Sequence, residues 1–124
     1  MAQDVISDLN EILIRFKAMS GIEAALITTP GGISLASIVP PGTNPDTLAA
    51  MSSTVQNAGD LMITQLEKGH SKRVVVECEH SKLVVIGAGP KAHFIVLATD
   101  NINLGPLFVE MNNTAMKIEE LLSA

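Results

Sequence analysis

Apolar residues between positions 72 and 99 fall into three runs, 72–79 (KRVVVECE), 82–87 (KLVVIG) and 92–99 (AHFIVLAT). The gaps, His80-Ser81 and residues 88–91, have room only for hairpin turns, so the runs read as antiparallel neighbouring strands. The second and third runs are apolar at nearly every position, whereas a strand with one wet face alternates. Both faces of that part of the sheet are therefore covered, and the sheet is predicted to lie between layers of helix.

The rest of the chain supplies those layers. Across residues 4–19, Val5, Ile6, Leu9, Ile12, Leu13, Phe16 and Met19 line up in one stripe at 100° per residue, with Ile14 alone on the opposite face. Ser20-Gly21 ends this first helix. Residues 22–29 read as a strand, Pro30-Gly31-Gly32 as a tight turn, and residues 33–39 as the hairpin mate. The loop from Pro40 to Pro45 can be neither helix nor central strand. Asp46 opens the second helix, as cap or as first-turn acid, and the helix runs to about Glu67 and stops near Gly69.

This second helix has more apolar surface than one packing face requires. Leu48, Met51, Val55, Met62 and Leu66 form one stripe, expected on the helix's own sheet. Ala50, Thr54, Ala58, Leu61 and Gln65 form a second, mostly of small residues that let another helix approach closely, and this one is expected on a partner subunit. The alternative is that both belong to one broad sheet-facing surface. A last helix follows Asp100-Asn101-Ile102-Asn103, with Pro106 tolerated in its first turn. Its stripe is Leu104, Leu107, Phe108, Met111, Ala115, Ile118, Leu121 and Leu122, leaving Val109 and Met116 exposed. The order helix, two strands, helix, three strands, helix is an α+β chain with no internal repeat or linker.

Composition narrows the function. A single domain over residues 1–124 is the natural reading of this length, and 47% hydrophobic against 17% charged residues suits a compact globule. Asp4, Asp8 and Glu11 stand where a signal peptide would be basic and then apolar, no run is long enough to span a bilayer, and Cys78 is the sole cysteine. A cytoplasmic protein with no direct membrane insertion is the expectation. A net charge of −5, three Phe and no Trp or Tyr offer neither a phosphate-binding patch nor a base-stacking platform, so nucleic acid is not an expected partner.

Chemistry-bearing residues do not converge. Gly87-Ala88-Gly89-Pro90-Lys91-Ala92 matches a loose dinucleotide pattern, but that pattern needs a helix N-terminus immediately afterwards, and a strand follows instead. His70, Cys78, Glu79 and His80 have no four-ligand spacing, and neighbouring Cys78 and Glu79 point to opposite strand faces. His93, beside Phe94, reads as a rim or satisfied core residue. Nothing near Cys78 marks it as an activated nucleophile, and Glu119-Glu120 reads as a solvated face. Arg15 and Arg73 are the only arginines. Surface solubility is the expected role of both, although either can in principle reach a phosphate in trans. No catalytic, cofactor or metal site is expected.

The element order, the Asn44-Pro45-Asp46 entry into the second helix and the Asn103-Leu104-Gly105 entry into the last resemble the Roadblock family. That family includes Roadblock-type dynein light chains, late-endosomal Rag-scaffold subunits and prokaryotic gliding-polarity proteins that activate a Ras-like GTPase. The similarity runs from the first helix through Leu122 and is strongest to the prokaryotic stand-alone form, since nothing is appended to the domain. It implies a profilin-like fold, a five-stranded antiparallel sheet with helices on both faces. It further implies a homodimer in which the second helices pair and the third strands, here residues 73–79, meet edge to edge. An unpaired apolar 73–79 edge would invite aggregation, although Lys72, Glu77 and Glu79 would also serve as charged protection in a monomer. The implied interface comprises Ala50, Thr54, Ala58, Leu61, Gln65, Arg73, Val75 and Glu77.

The same resemblance implies a non-enzymatic regulator or scaffold that binds a small Ras-like GTPase. It would modulate the nucleotide cycle by remodelling the GTPase's own catalytic residues rather than through an arginine finger. One alternative is a purely structural assembly subunit docking a peptide or larger complex through Ile14, Val109 and Met116. Another is a small-molecule sensor of PAS or GAF type, against which stands the lack of aromatic or polar pocket residues.

Overall fold

Residues 2–123 are described by the structure, a computed structural model. The elements are α1 (Ala2–Lys17), β1 (Ile22–Thr28), β2 (Ser34–Ile38), α2 (Pro45–Gln65), β3 (Arg73–Glu77), β4 (Ser81–Gly87), β5 (His93–Thr99) and α3 (Leu104–Ser123). All neighbouring strands are antiparallel, in the order β2-β1-β5-β4-β3. The expected α+β order and five-stranded sheet between helices are found, with each strand boundary within a residue or two of the pattern. None of the helices described is long and apolar enough to cross a membrane.

Alternation along the strands divides the sheet into two faces. Ala25, Ile27, Val84, Ile86, Phe94 and Val96 meet Leu9, Leu13 and Phe16 of α1 and Leu107, Met111 and Ile118 of α3 in the main core. Phe16 meets Phe94 edge to face, ring centroids 5.1 Å apart. On the other face Leu26, Val85 and Ile95 form a small cluster beneath α2. Gly87–Lys91 is a turn rather than a phosphate cradle: the Ala88 amide donates to the Ala92 carbonyl at 2.8 Å, and Gly89 adopts a φ of 77°.

α2 begins at Asn44, whose side-chain oxygen accepts from the amides of Asp46 (2.9 Å) and Thr47 (3.3 Å), with Pro45 in the first helical turn. Asp46 is thus a first-turn acid and not the cap. The sheet-facing arc of α2 corrects the expectation from the sequence. Its buried residues are Ala49, Ser52, Ser53 and Gln56, while Met51, Met62 and Leu66 of the stripe assigned to the sheet are exposed. Close approach is the reason. A Cβ on Gly59 would lie 3.0 Å from a Val74 methyl, and one on Gly32 would lie 3.1 Å from the Ala50 Cα, so methionines do not fit beneath the helix.

Hydrogen bonds replace apolar packing in that gap. Ser53 Oγ donates to the Pro30 carbonyl, Gln56 Nε2 donates to Ser71 Oγ at 3.1 Å, and the Asp60 carboxylate accepts from both the amide and the hydroxyl of Ser71. The helix is thereby fastened through its middle turns, residues 53–60, to the β1–β2 turn and to the segment entering β3.

Candidate interface: the α2 surface and the β3 edge

With α2 seated by small and polar residues, its apolar side chains are left to solvent. Met51, Leu61, Met62 and Leu66 are 61%, 62%, 67% and 63% exposed. The helix covers only one end of the sheet face. Beside it a groove of about 310 Å³ remains open, floored by Leu26, Leu83, Ile95 and Leu97 and walled by Met51 and Val55. The groove is lined mostly by apolar side chains, and α2 forms one side of it.

β3 is an edge strand, paired only with β4. Its residues alternate across the sheet. Val74 and Val76 lie opposite Val85 and Leu83, on the α2 side, while Val75 packs against the main core on the α3 side. Arg73 shares that side: its guanidinium carbon sits 4.2 Å from the centroid of the Phe108 ring, and its Nε is buried without an acceptor. Glu77 is exposed at the other end of the strand, in register with Lys82, whose ammonium donates instead to the Ile102 carbonyl at 3.4 Å.

The eight residues expected at an interface thus occupy two places. Ala50, Thr54, Ala58, Leu61 and Gln65 all lie on the exposed surface of α2. Arg73, Val75 and Glu77 line the opposite face of the sheet, at its free edge. The edge itself joins the two sets. Met51, Met62 and Leu66 were missed, having been assigned to the sheet. A signal was available: Ala49, Ser52, Ser53, Gln56 and Gly59 form an arc of small or polar residues at helical spacing, as regular as the apolar stripe beside it.

Titratable groups are scattered. His70 and His80 are exposed, and His80 makes the one ion pair found among the described residues, to Glu79 at 3.7 Å. Cys78 is a free, exposed thiol. No group of three or more potential metal ligands comes together among the described residues. His93, expected to be a rim or satisfied core residue, is buried with its Nδ1 unpartnered, next to the α2 fastening. Burial pushes its pKa down, against the smaller opposing pull of the Asp60 charge. The Ser71 hydroxyl bond in turn holds the Asp60 carboxyl below its usual range.

Comparison with known proteins places this architecture. An uncharacterized protein of Methanocaldococcus jannaschii, MJ1340, is 24% identical over 113 residues, spanning 91% of this chain and 98% of its own. The Roadblock/LC7 domain from Streptomyces avermitilis superposes with a TM-score of 0.86 at 20% identity, covering 93% of this chain and 98% of the other. The gliding protein MglB from Thermus thermophilus gives 0.82 at 19% identity, covering 94% and 90%. The arrangement is also profilin-like. The Roadblock/LC7 domain model matches residues 8–98, from the middle of α1 almost to the end of β5, and the chain belongs to the Roadblock/LC7 family.

Proposed function

We propose that this protein is a non-enzymatic, homodimeric regulator or scaffold that binds a small Ras-like GTPase and modulates its nucleotide cycle. The observation that carries the reading is the surface left by α2: a band of exposed Met and Leu side chains beside an open apolar groove and an unpaired strand edge. A surface of this kind marks a protein contact rather than a reaction centre. A second copy, docking α2 against α2 and β3 against β3, covers the band and closes the edge together. Family membership and the likeness to a gliding protein support a GTPase as the further partner.

Mixing the purified protein with the small GTPases of its own genome tests this directly. Co-elution with one of them and a changed rate of phosphate release are expected. Failure to bind any of them refutes the GTPase reading.

A second reading, an assembly subunit that docks a peptide or larger complex, draws on a different surface. Ile14 on α1 and Val109 and Met116 on α3 are 60%, 57% and 61% exposed on the outer helices. Replacing each with Asp abolishes partner capture under this reading while leaving the dimer intact. Unchanged capture rejects it.

A further inference from the structure

β3 reads Arg73-Val74-Val75-Val76-Glu77, five residues with a cation at one end, an anion at the other and valines between. Reversed and set beside itself, such a strand places each charge opposite its counterion. We propose that β3 pairs with the β3 of a second copy in a single register, centred on Val75, with Arg73 of each chain opposite the partner's Glu77. The inference rests on the dimer reading above and adds to it the alignment of the two strands and the groups that select it.

Symmetry restricts the choice. A two-fold axis normal to the sheet keeps each face on its own side, and residues directly opposite in an antiparallel pair point the same way. The axis must therefore pass a residue that faces its own copy. Centred on Val74, the pairing sets Arg73 against the partner's Val75 and Glu77 against the partner's Ser71, with no charge pair. Centred on Val76, it sets Glu77 against the partner's Val75, and Arg73 must look beyond the strand to the partner's Glu79. Centred on Val75, it forms two Arg–Glu pairs, places Val75 against its copy on the α3 side and Val74 against the partner's Val76 on the α2 side. Like or unmatched charges across an interface are penalised far more than rim pairs are rewarded, so the charges act chiefly on register and partner choice.

The protomer leaves both groups waiting. The Arg73 guanidinium is held on Phe108 with its Nε buried and unbonded, and no carboxylate pairs with it among the described residues. Such a group is pre-oriented at the strand edge at low entropic cost, and a planar fork suits a carboxylate approaching from the side. Glu77 is exposed and likewise unpaired among the described residues. Arg73 and Glu77 share the α3 face of the sheet, so the two cross-strand pairs form on one side.

The sole cysteine makes the register readable. Centred on Val75, the pairing puts Cys78 opposite the partner's Lys72; centred on Val76, opposite the partner's Val74; centred on Val74, opposite the partner's His70. Directly opposed residues are about 4.5–5.5 Å apart at Cα, within disulfide reach, whereas a shifted pair is not. Lys72→Cys, Val74→Cys and His70→Cys are each oxidised mildly and run on a non-reducing gel. Rapid covalent dimer from Lys72→Cys alone is expected. Preferential cross-linking through Val74→Cys or His70→Cys overturns the register. No cross-linking from any of the three, with sedimentation still reporting a dimer, overturns edge pairing and leaves the dimer itself standing. A monomer at every concentration takes down the dimer reading and this register together.

Charge exchange is the second arm. Arg73→Glu or Glu77→Arg alone is expected to raise the dimer Kd about 100-fold, and an equimolar mixture of the two to recover a dimer within about tenfold of the parent. Failure of the mixture to recover, with both variants folded by circular dichroism, refutes the Arg73–Glu77 pairing.

Discussion

Met62→Ser separates association from folding more cleanly than any other change on α2. Met62 is 67% exposed in the protomer. Full burial of a Met side chain contributes about 1.5–3 kcal/mol. Two-thirds of that, about 1–2 kcal/mol per copy, is still to be gained when a partner covers the helix. A symmetric interface uses the residue twice, so truncation removes about 2–4 kcal/mol and raises the dimer Kd by about 30- to 1000-fold. The protomer loses only the third already buried, about 0.5–1 kcal/mol, together with a few tenths in helix propensity.

Sedimentation equilibrium over a dilution series measures the first quantity, and denaturant unfolding of the fully diluted protein the second. Met116→Ser is the matched control, since Met116 is 61% exposed on the outer face of α3 and is expected to leave Kd unchanged. The reasoning is refuted if Met62→Ser shifts Kd by less than about threefold. It is equally refuted if both variants shift Kd alike, or if Met62→Ser destabilises the diluted protomer by more than about 3 kcal/mol, the cost of a core methionine.

Gly32→Ala is expected to destabilise the protomer by about 1–3 kcal/mol in denaturant unfolding, since Gly32 has a φ of 92° and its new Cβ would meet the Ala50 backbone. Ser71→Ala removes the hydroxyl that donates to Asp60 and accepts from Gln56, and is expected to cost about 1–3 kcal/mol and to loosen α2, seen as faster amide exchange along the helix. The His93 pKa is depressed below its ordinary 6.5, so the unfolded chain takes up that proton first and stability falls as pH drops from about 6.5 toward the folded value. His93→Leu is expected to flatten that stretch of the denaturation midpoint against pH, leaving the loss at more acidic pH as Asp60, depressed below 3.8, is titrated through its folded value.

Most of the fold was legible because it rests on signals that hydrophobicity carries well. β4 and β5 are apolar at successive positions and are buried on both faces, as central strands must be. The stripes of α1 and α3 meet the main core through Leu9, Leu13, Phe16, Leu107, Met111 and Ile118. α2 was misread because periodicity ranks residues by transfer free energy and says nothing about how much room a site has. Where the helix passes within methyl contact of Val74 and the Gly32 turn, serine, alanine and glycine fit and methionine does not. The hydrogen bonds of Ser53, Gln56 and Asp60 offset the polar burial this imposes.

That choice leaves the two faces of the sheet unequal. Among the described residues the cluster under α1 and α3 holds eighteen buried residues, and the one under α2 holds three. A layer so thin contributes little to folding the protomer by itself, and its missing apolar contacts are displayed instead on Met51, Leu61, Met62 and Leu66. Packing these inward would thicken the second core but would remove the surface beside the β3 edge. The small, polar underside of α2 is therefore what keeps its apolar side free for a partner.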